Sequence, residues 1–86
     1  MPEYAVSFRR SAEKDLRRLD SAMQRRVMRA VEALAGTPRP PGCRKLVGGD
    51  VAYRVRVGDY RVIYTVDDAM LAVAIERIRH RREVYR

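Results

Sequence analysis

Arg54, Arg56 and Arg61 are spaced so that a hairpin would gather them on one face, where guanidinium groups can hold a phosphate. Apolar residues alternate at Val51, Tyr53, Val55 and Val57, and again at Tyr60, Val62, Tyr64 and Val66, the period of half-buried strands. Gly58-Asp59 between the two runs suits a two-residue type II′ turn. That turn sets Val57 opposite Tyr60, Arg56 opposite Arg61 and Arg54 opposite Ile63. Like charges directly across a ladder destabilise by about 0.2–1 kcal/mol. A sheet that keeps Arg56 against Arg61 is therefore expected to place an anion between them.

The chemistry such a face supports is phosphoryl chemistry on RNA. When a 2′-hydroxyl attacks the adjacent phosphorus, negative charge builds on the non-bridging oxygens, and preorganised guanidinium groups stabilise it. Arg81 and Tyr85 in the tail add a further cation and a ring that can stack on an unpaired base. A basic sheet that docks an acidic protein would have the same residue types, and the spacing alone does not separate the two. Other chemistries are poorly supplied. His80 and Cys43 are the only histidine and cysteine, which with scattered carboxylates form no ligand set of zinc or two-metal spacing. No phosphate-cradling G-x-x-x-x-G-K-[ST] loop or G-x-G-x-x-G fingerprint occurs, and no serine stands in a nucleophile-elbow context. Neither a metal nor another cofactor is expected.

The chain of 86 residues is long enough for one domain with a modest core, here taken as 1–86. An apolar fraction of 47% argues against disorder despite 35% charged residues. No apolar run approaches the ~20 residues of a membrane span, and residues 1–10 lack a signal-like stretch, so the cytoplasm is the expected location. A single cysteine permits no intrachain disulfide. The net charge of +8 points to an acidic partner, nucleic acid or protein. Seventeen of the nineteen cations are arginine, whose planar fork matches phosphate oxygens bidentately. Genomic base composition could also favour arginine everywhere, but it does not account for the facing pair in the hairpin.

The elements that must position these residues follow from the pattern. Tyr4 to Phe8 reads as a short strand. Ser11 is placed as the N-cap of a first helix with Ala12, Leu16 and Leu19 on one face, and Ser21 with Gln24 has capping-box spacing for a second, with Met23, Val27, Ala30, Val31 and Leu34 inward. Their outer faces carry Arg17, Arg18, Arg25, Arg26 and Arg29, either a solvated face or a contact surface. Residues 36–42, with three prolines and two glycines, form a loop. Arg44 to Val47 is expected as a brief strand before Gly48-Gly49. After the hairpin, Asp67-Asp68 is read as a second turn into a strand through Leu71, Val73 and Ile75. A two-residue turn there drops Ala72 and Ala74 onto the arginine face as a shallow floor. The last ten residues hold five arginines and His80, with Val84 and Tyr85 able to dock on the sheet edge.

With these residues in place, the chain resembles the RelE toxins of the RelE/ParE superfamily. The resemblance runs from the first strand and two helices through Lys45-Leu46-Val47-Gly48 and the 53–64 hairpin to the tail His80-Arg81-Arg82-Glu83-Val84-Tyr85-Arg86. It implies a small α/β (α+β) fold, with an antiparallel sheet of about four strands on two N-terminal helices and a short C-terminal tail or helix. It also implies the toxin half of a type II toxin–antitoxin pair, which cuts messenger RNA in the ribosomal A site and leaves a 2′,3′-cyclic phosphate or its 3′-phosphate product. A cognate acidic antitoxin would silence it as a hetero-oligomer, and operator DNA would be reached only through that antitoxin.

The resemblance gives Arg54, Arg56, Arg61, Arg81, Tyr85 and His80 catalytic positions and makes Arg44, Lys45, Arg79 and Arg82 RNA-binding. Lysines stand at positions 54 and 56 in the best-studied members, one of them suggested as the general base. Arginine, with a pKa above about 12, is not expected to take a proton from a hydroxyl. Arg54 and Arg56 are therefore expected to stabilise charge, and the base is open. His80 has a suitable ordinary pKa near ~6.5, or is a hydrogen-bonded histidine before the last turn. The ParE branch, which poisons DNA gyrase on the same fold, and an inactive relative that only binds antitoxin are the alternatives.

Overall fold

The computed structural model describes residues 3–46 and 52–84. Val51, Gly48-Gly49 and Tyr85, each given a place by the sequence, lie outside them. The elements run β1 (Ala5–Phe8), α1 (Arg10–Arg17), α2 (Ser21–Ala33), β2 (Arg44–Lys45), β3 (Ala52–Val57), β4 (Tyr60–Asp67), β5 (Ala72–His80) and α3 (Arg81–Val84). The strands form one sheet in the order β1-β5-β4-β3-β2. The α+β class agrees with the sequence. The sheet itself has five strands rather than about four, and it is mixed: β1 pairs parallel with β5, Ala5 opposite Ala72 and Phe8 opposite Ile75.

One face of the sheet is the core. Val57, Val62, Tyr64, Val66, Val73, Ile75 and Ile78 pack with Ala12 and Leu19 of the α1 segment and with Val27, Val31 and Leu34 of the α2 segment. The helical spacing of those apolar residues brings them to one side of each helix, as their sequence periodicity requires. The other sheet face carries the arginines.

The helix starts differ from the sequence reading by a residue or more. Arg9 occupies the N-cap of α1 without a side-chain cap. Ser11 lies inside the first turn, and its hydroxyl donates to the Glu76 carbonyl at 3.1 Å, so it ties α1 to β5 rather than capping a helix. Asp20, not Ser21, caps α2, accepting from the Met23 N–H at 2.8 Å. A carboxylate one residue earlier reaches the same orphan N–H groups and adds favourable charge at the helix N-terminus. Gln24 instead donates from Nε2 to the Leu19 carbonyl.

The hairpin has the predicted register, with Val57 opposite Tyr60, Arg56 opposite Arg61 and Arg54 opposite Ile63. Gly58 takes φ 60, and Leu71 is the one non-glycine at positive φ among the described residues, so Asp59 is at negative φ, as a type II′ turn requires. The second turn is not two residues. Asp67 pairs with Ala72 across a four-residue loop, residues 68–71, that begins with the Met70 N–H donating to Asp67 Oδ1 at 3.0 Å. Two added residues preserve strand parity, so Ala72 and Ala74 still share the face of Thr65, Ile63 and Arg61.

The proline-rich loop is clasped to the sheet. Tyr64 donates to the Pro38 carbonyl at 2.8 Å, and Arg39 donates from Nη1 and Nη2 to Asp68 at 3.1 and 2.8 Å and from Nε to the Tyr53 hydroxyl at 2.8 Å. Tyr4 donates to the same Asp68 carboxylate at 2.7 Å. The Arg39 hydrogen bonds, with that of Tyr4, hold the Asp68 carboxyl below the ordinary range. No helix among the described residues is long and apolar enough to cross a membrane.

Candidate nucleic-acid interface

The sheet turns a facing pair of arginines into a row. Arg56 on β3 pairs with Arg61 on β4, and Arg61 pairs in turn with Arg79 on β5. Arg44 on β2 pairs with Arg54 on β3, two residues along the strand from Arg56 and on its face. Arg44, Arg54, Arg56 and Arg61, with Gly42, line a recess of about 130 Å³. Arg61 is only 9% exposed, whereas Arg56 stands in solvent. Arg56 donates from Nε to the Gly58 carbonyl at 3.1 Å, which fixes its guanidinium at the turn.

The tail begins at the same end of the hairpin. β5 runs on to His80, further than the sequence suggested, and α3 follows at once. The Arg81 N–H donates to the Asp59 carbonyl at 2.8 Å, joining the start of α3 to the turn. Arg81 and Arg82 are exposed. Thus Arg44, Arg54, Arg56, Arg61 and Arg79 share a face, and Arg81 is tethered beside their hairpin end.

Two expected site residues fall elsewhere. His80 pairs with Tyr60, one step along β5 from Arg79, and so lies on the face opposite the arginine row. Its ring meets the Tyr60 ring edge-on at 5.2 Å and 88°. Its Nδ1 accepts the Arg82 N–H at 3.2 Å. Lys45 pairs with Tyr53 and is likewise one step out of phase with Arg44 and Arg54. Tyr85 is outside the described residues.

Sequence reasoning missed a half-buried ion pair, between buried Asp15 and partly exposed Arg77, that sets β5. Asp15 of α1 accepts from Arg77 Nε at 2.8 Å and Nη2 at 3.2 Å, and from the Ile78 N–H at 2.9 Å. Burial pushes the Asp15 carboxyl up, but the Arg77 hydrogen bonds, the Ile78 N–H and the charges of Arg77 and Arg79 outweigh it and leave its pKa below the ordinary value. It also missed a β-bulge: Tyr64 pairs with Ile75 while Ile63 pairs with Arg77, so Glu76 is the extra residue. A signal for it exists in the apolar phase, which steps by two from Val73 to Ile75 and by three to Ile78.

Comparisons with known proteins agree with this fold. A family model described as the ParE toxin of the type II toxin–antitoxin system parDE matches residues 6–85. Toxin RelG of Mycobacterium tuberculosis is 33% identical over 87 residues, covering 96% of this chain and 97% of that protein. A RelE-like toxin protein of Escherichia coli is 31% identical over 86 residues, covering 95% and 90%. In three dimensions, a chain of the archaeal RelE–RelB complex from Pyrococcus horikoshii OT3 superposes with a TM-score of 0.83 at 32% identity, covering 92% of this chain and 96% of that one.

Proposed function

The chain belongs to the RelE/ParE superfamily of type II toxin–antitoxin toxins, and from that membership we propose that it is a ribosome-dependent messenger RNA endoribonuclease. The observation that carries this reading is the arginine row across β3, β4 and β5, with Arg54 and Arg44 beside it. In the proposed reaction the 2′-hydroxyl oxygen bonds to phosphorus as the bond from phosphorus to the 5′-oxygen breaks. The products are a 2′,3′-cyclic phosphate and a free 5′-hydroxyl. Arg54, Arg56 and Arg61 stabilise the charge on the non-bridging oxygens, and Arg81 adds to the field from the end of the hairpin. Arg44, Arg79 and Arg82 hold flanking phosphates. Tyr85 stacks on or orients the substrate, and exposed Lys45 contributes charge at the sheet edge.

Guanidinium groups stay protonated, so they hold charge and do not take the proton. His80, on the opposite face with Nδ1 engaged, is not assigned that task. His80→Gln is expected to leave the cleavage rate within about threefold of wild type, since proton transfer by a positioned base is worth ~10²–10³ or more. A loss of that larger size would return the histidine to the mechanism.

A cognate acidic antitoxin is the proposed partner, its carboxylates taking the place of the phosphate on the arginine face. The related RelE–RelB complex supports that pairing. Induction of the protein without its antitoxin should stop growth and translation, and primer extension should find new transcript ends only on translated messages. The ParE description of the matching family model favours one second reading, a DNA gyrase inhibitor. Broken DNA with intact transcripts would select it over the ribonuclease.

A further inference from the structure

The open face of the sheet carries a second feature beside the arginine row. Ser7, Arg9, Thr65, Ala72, Ala74 and Glu76 are among the residues that line a shallow groove of about 320 Å³. Ala72 and Ala74 give it a low apolar floor on which a flat ring can lie. Thr65 stands on β4 four residues from Arg61, about 13 Å along the strand at ~3.3 Å per residue. A single strand with one phosphate on the row can therefore lay a nearby base in the groove.

The groove's wall is set by the bulge. Glu76 has no partner on β4, and bulges of this kind re-aim a side chain at the edge of a site. Its carboxylate is held in place: Oε2 accepts from Arg9 Nε at 3.3 Å and from Thr65 Oγ1 at 3.4 Å. The side chain is one-third exposed, and both hydrogen bonds fall on Oε2, so Oε1 is available to a ligand. A fixed carboxylate repels phosphate but accepts N–H donors. Adenine, cytosine and guanine each present an exocyclic amino group to it. Uracil presents only N3–H between two carbonyl oxygens, which the carboxylate repels.

We infer that this groove is a base-reading subsite and that Glu76 determines its specificity, favouring a base with an exocyclic amino group over uracil within a few nucleotides of the cut. The inference deepens the ribonuclease reading and rests on it for the phosphate that occupies the row.

Fluorescence anisotropy with short 2′-O-methyl oligonucleotides, which cannot be cleaved, tests it when A, C or U is varied at one position at a time. At one position the wild-type protein should bind A or C about fivefold more tightly than U, as a charge-assisted hydrogen bond in a part-exposed groove allows. Glu76→Gln, which keeps the shape, and Glu76→Leu should bring that ratio within twofold of unity. Mapped transcript ends should lose the same bias. A ratio near unity in wild type, or one unchanged in Glu76→Gln, overturns the subsite. Weaker antitoxin binding by the variants with an unchanged base ratio assigns the groove to a protein and overturns it as well. Base discrimination by a protein that cuts no transcript keeps the subsite and removes the ribonuclease reading.

Discussion

Arg61→Ala is expected to slow message cleavage by about 10²–10³-fold, the usual loss when one preorganised donor to a developing oxyanion is removed, and to relieve growth arrest. The residue is nearly buried, sits at the centre of the row, and faces a guanidinium on each neighbouring strand. Its planar fork, held nearly buried between two other arginines, is placed to meet the non-bridging oxygens of a phosphate on the row. The fold should survive the change, because Arg61 is not part of the apolar core cluster. Arg61→Met, which keeps the apolar stem, should leave the melting temperature within a few degrees of wild type and lose as much activity as Arg61→Ala. Arg61→Lys restores a point charge without the bidentate fork and should recover only part of the rate. Arg81→Ala, at the tethered start of α3, should cost at least tenfold. Antitoxin should still bind both variants, because many other cations remain on the surface. Full toxicity from Arg61→Ala and Arg81→Ala together would remove the hairpin end from the reaction.

The sequence revealed the row only in part, for a physical reason. A two-residue turn fixes register locally, so Gly58-Asp59 was enough to place Arg56 against Arg61. The third member, Arg79, depends on the pairing of β4 with β5, which passes through a four-residue loop and a bulge. Neither is dictated by neighbours in sequence. The same bulge decides that Arg79 joins the row while His80 turns to Tyr60, so a histidine one residue from an arginine ends on the other face. Amphipathic spacing predicted the helices well, because burial of one face is a long-period signal. Their caps were less legible: Asp20 and Ser21 are both good N-cap residues, and only the fold chooses between them. The parallel pairing of β1 was illegible, since it is made with a strand at the far end of the chain.

Asp15→Ala should be the most damaging single change to the folded state outside the apolar core, at about 2–3 kcal/mol. For a domain of this size that is a fall of roughly 8–24 °C in melting temperature. Asp15 is 8% exposed and holds three donors at once, two from Arg77 and one from the β5 backbone at Ile78. Removing it strands the buried Ile78 N–H, while Arg77, 37% exposed, can turn to water. The backbone N–H thus dominates the cost. Asp15→Asn, which can still accept from it, should lose only about half as much. The pH dependence follows from the lowered pKa. Stability from Asp15 is fully present above the unfolded value near 3.8 and is lost as pH falls through the lower folded value. Wild type should therefore lose stability below about pH 4, and Asp15→Asn should flatten that acid limb in urea titrations. The change also bears on function. Ile78 lies between the bulge and Arg79, so loosening it lets β5 slip in phase, and a one-residue slip exchanges Arg79 with His80 on the arginine face. Asp15→Ala at a temperature where it remains folded should cut more slowly than wild type. A variant as stable and as active as wild type would show that the bulge holds its register without α1.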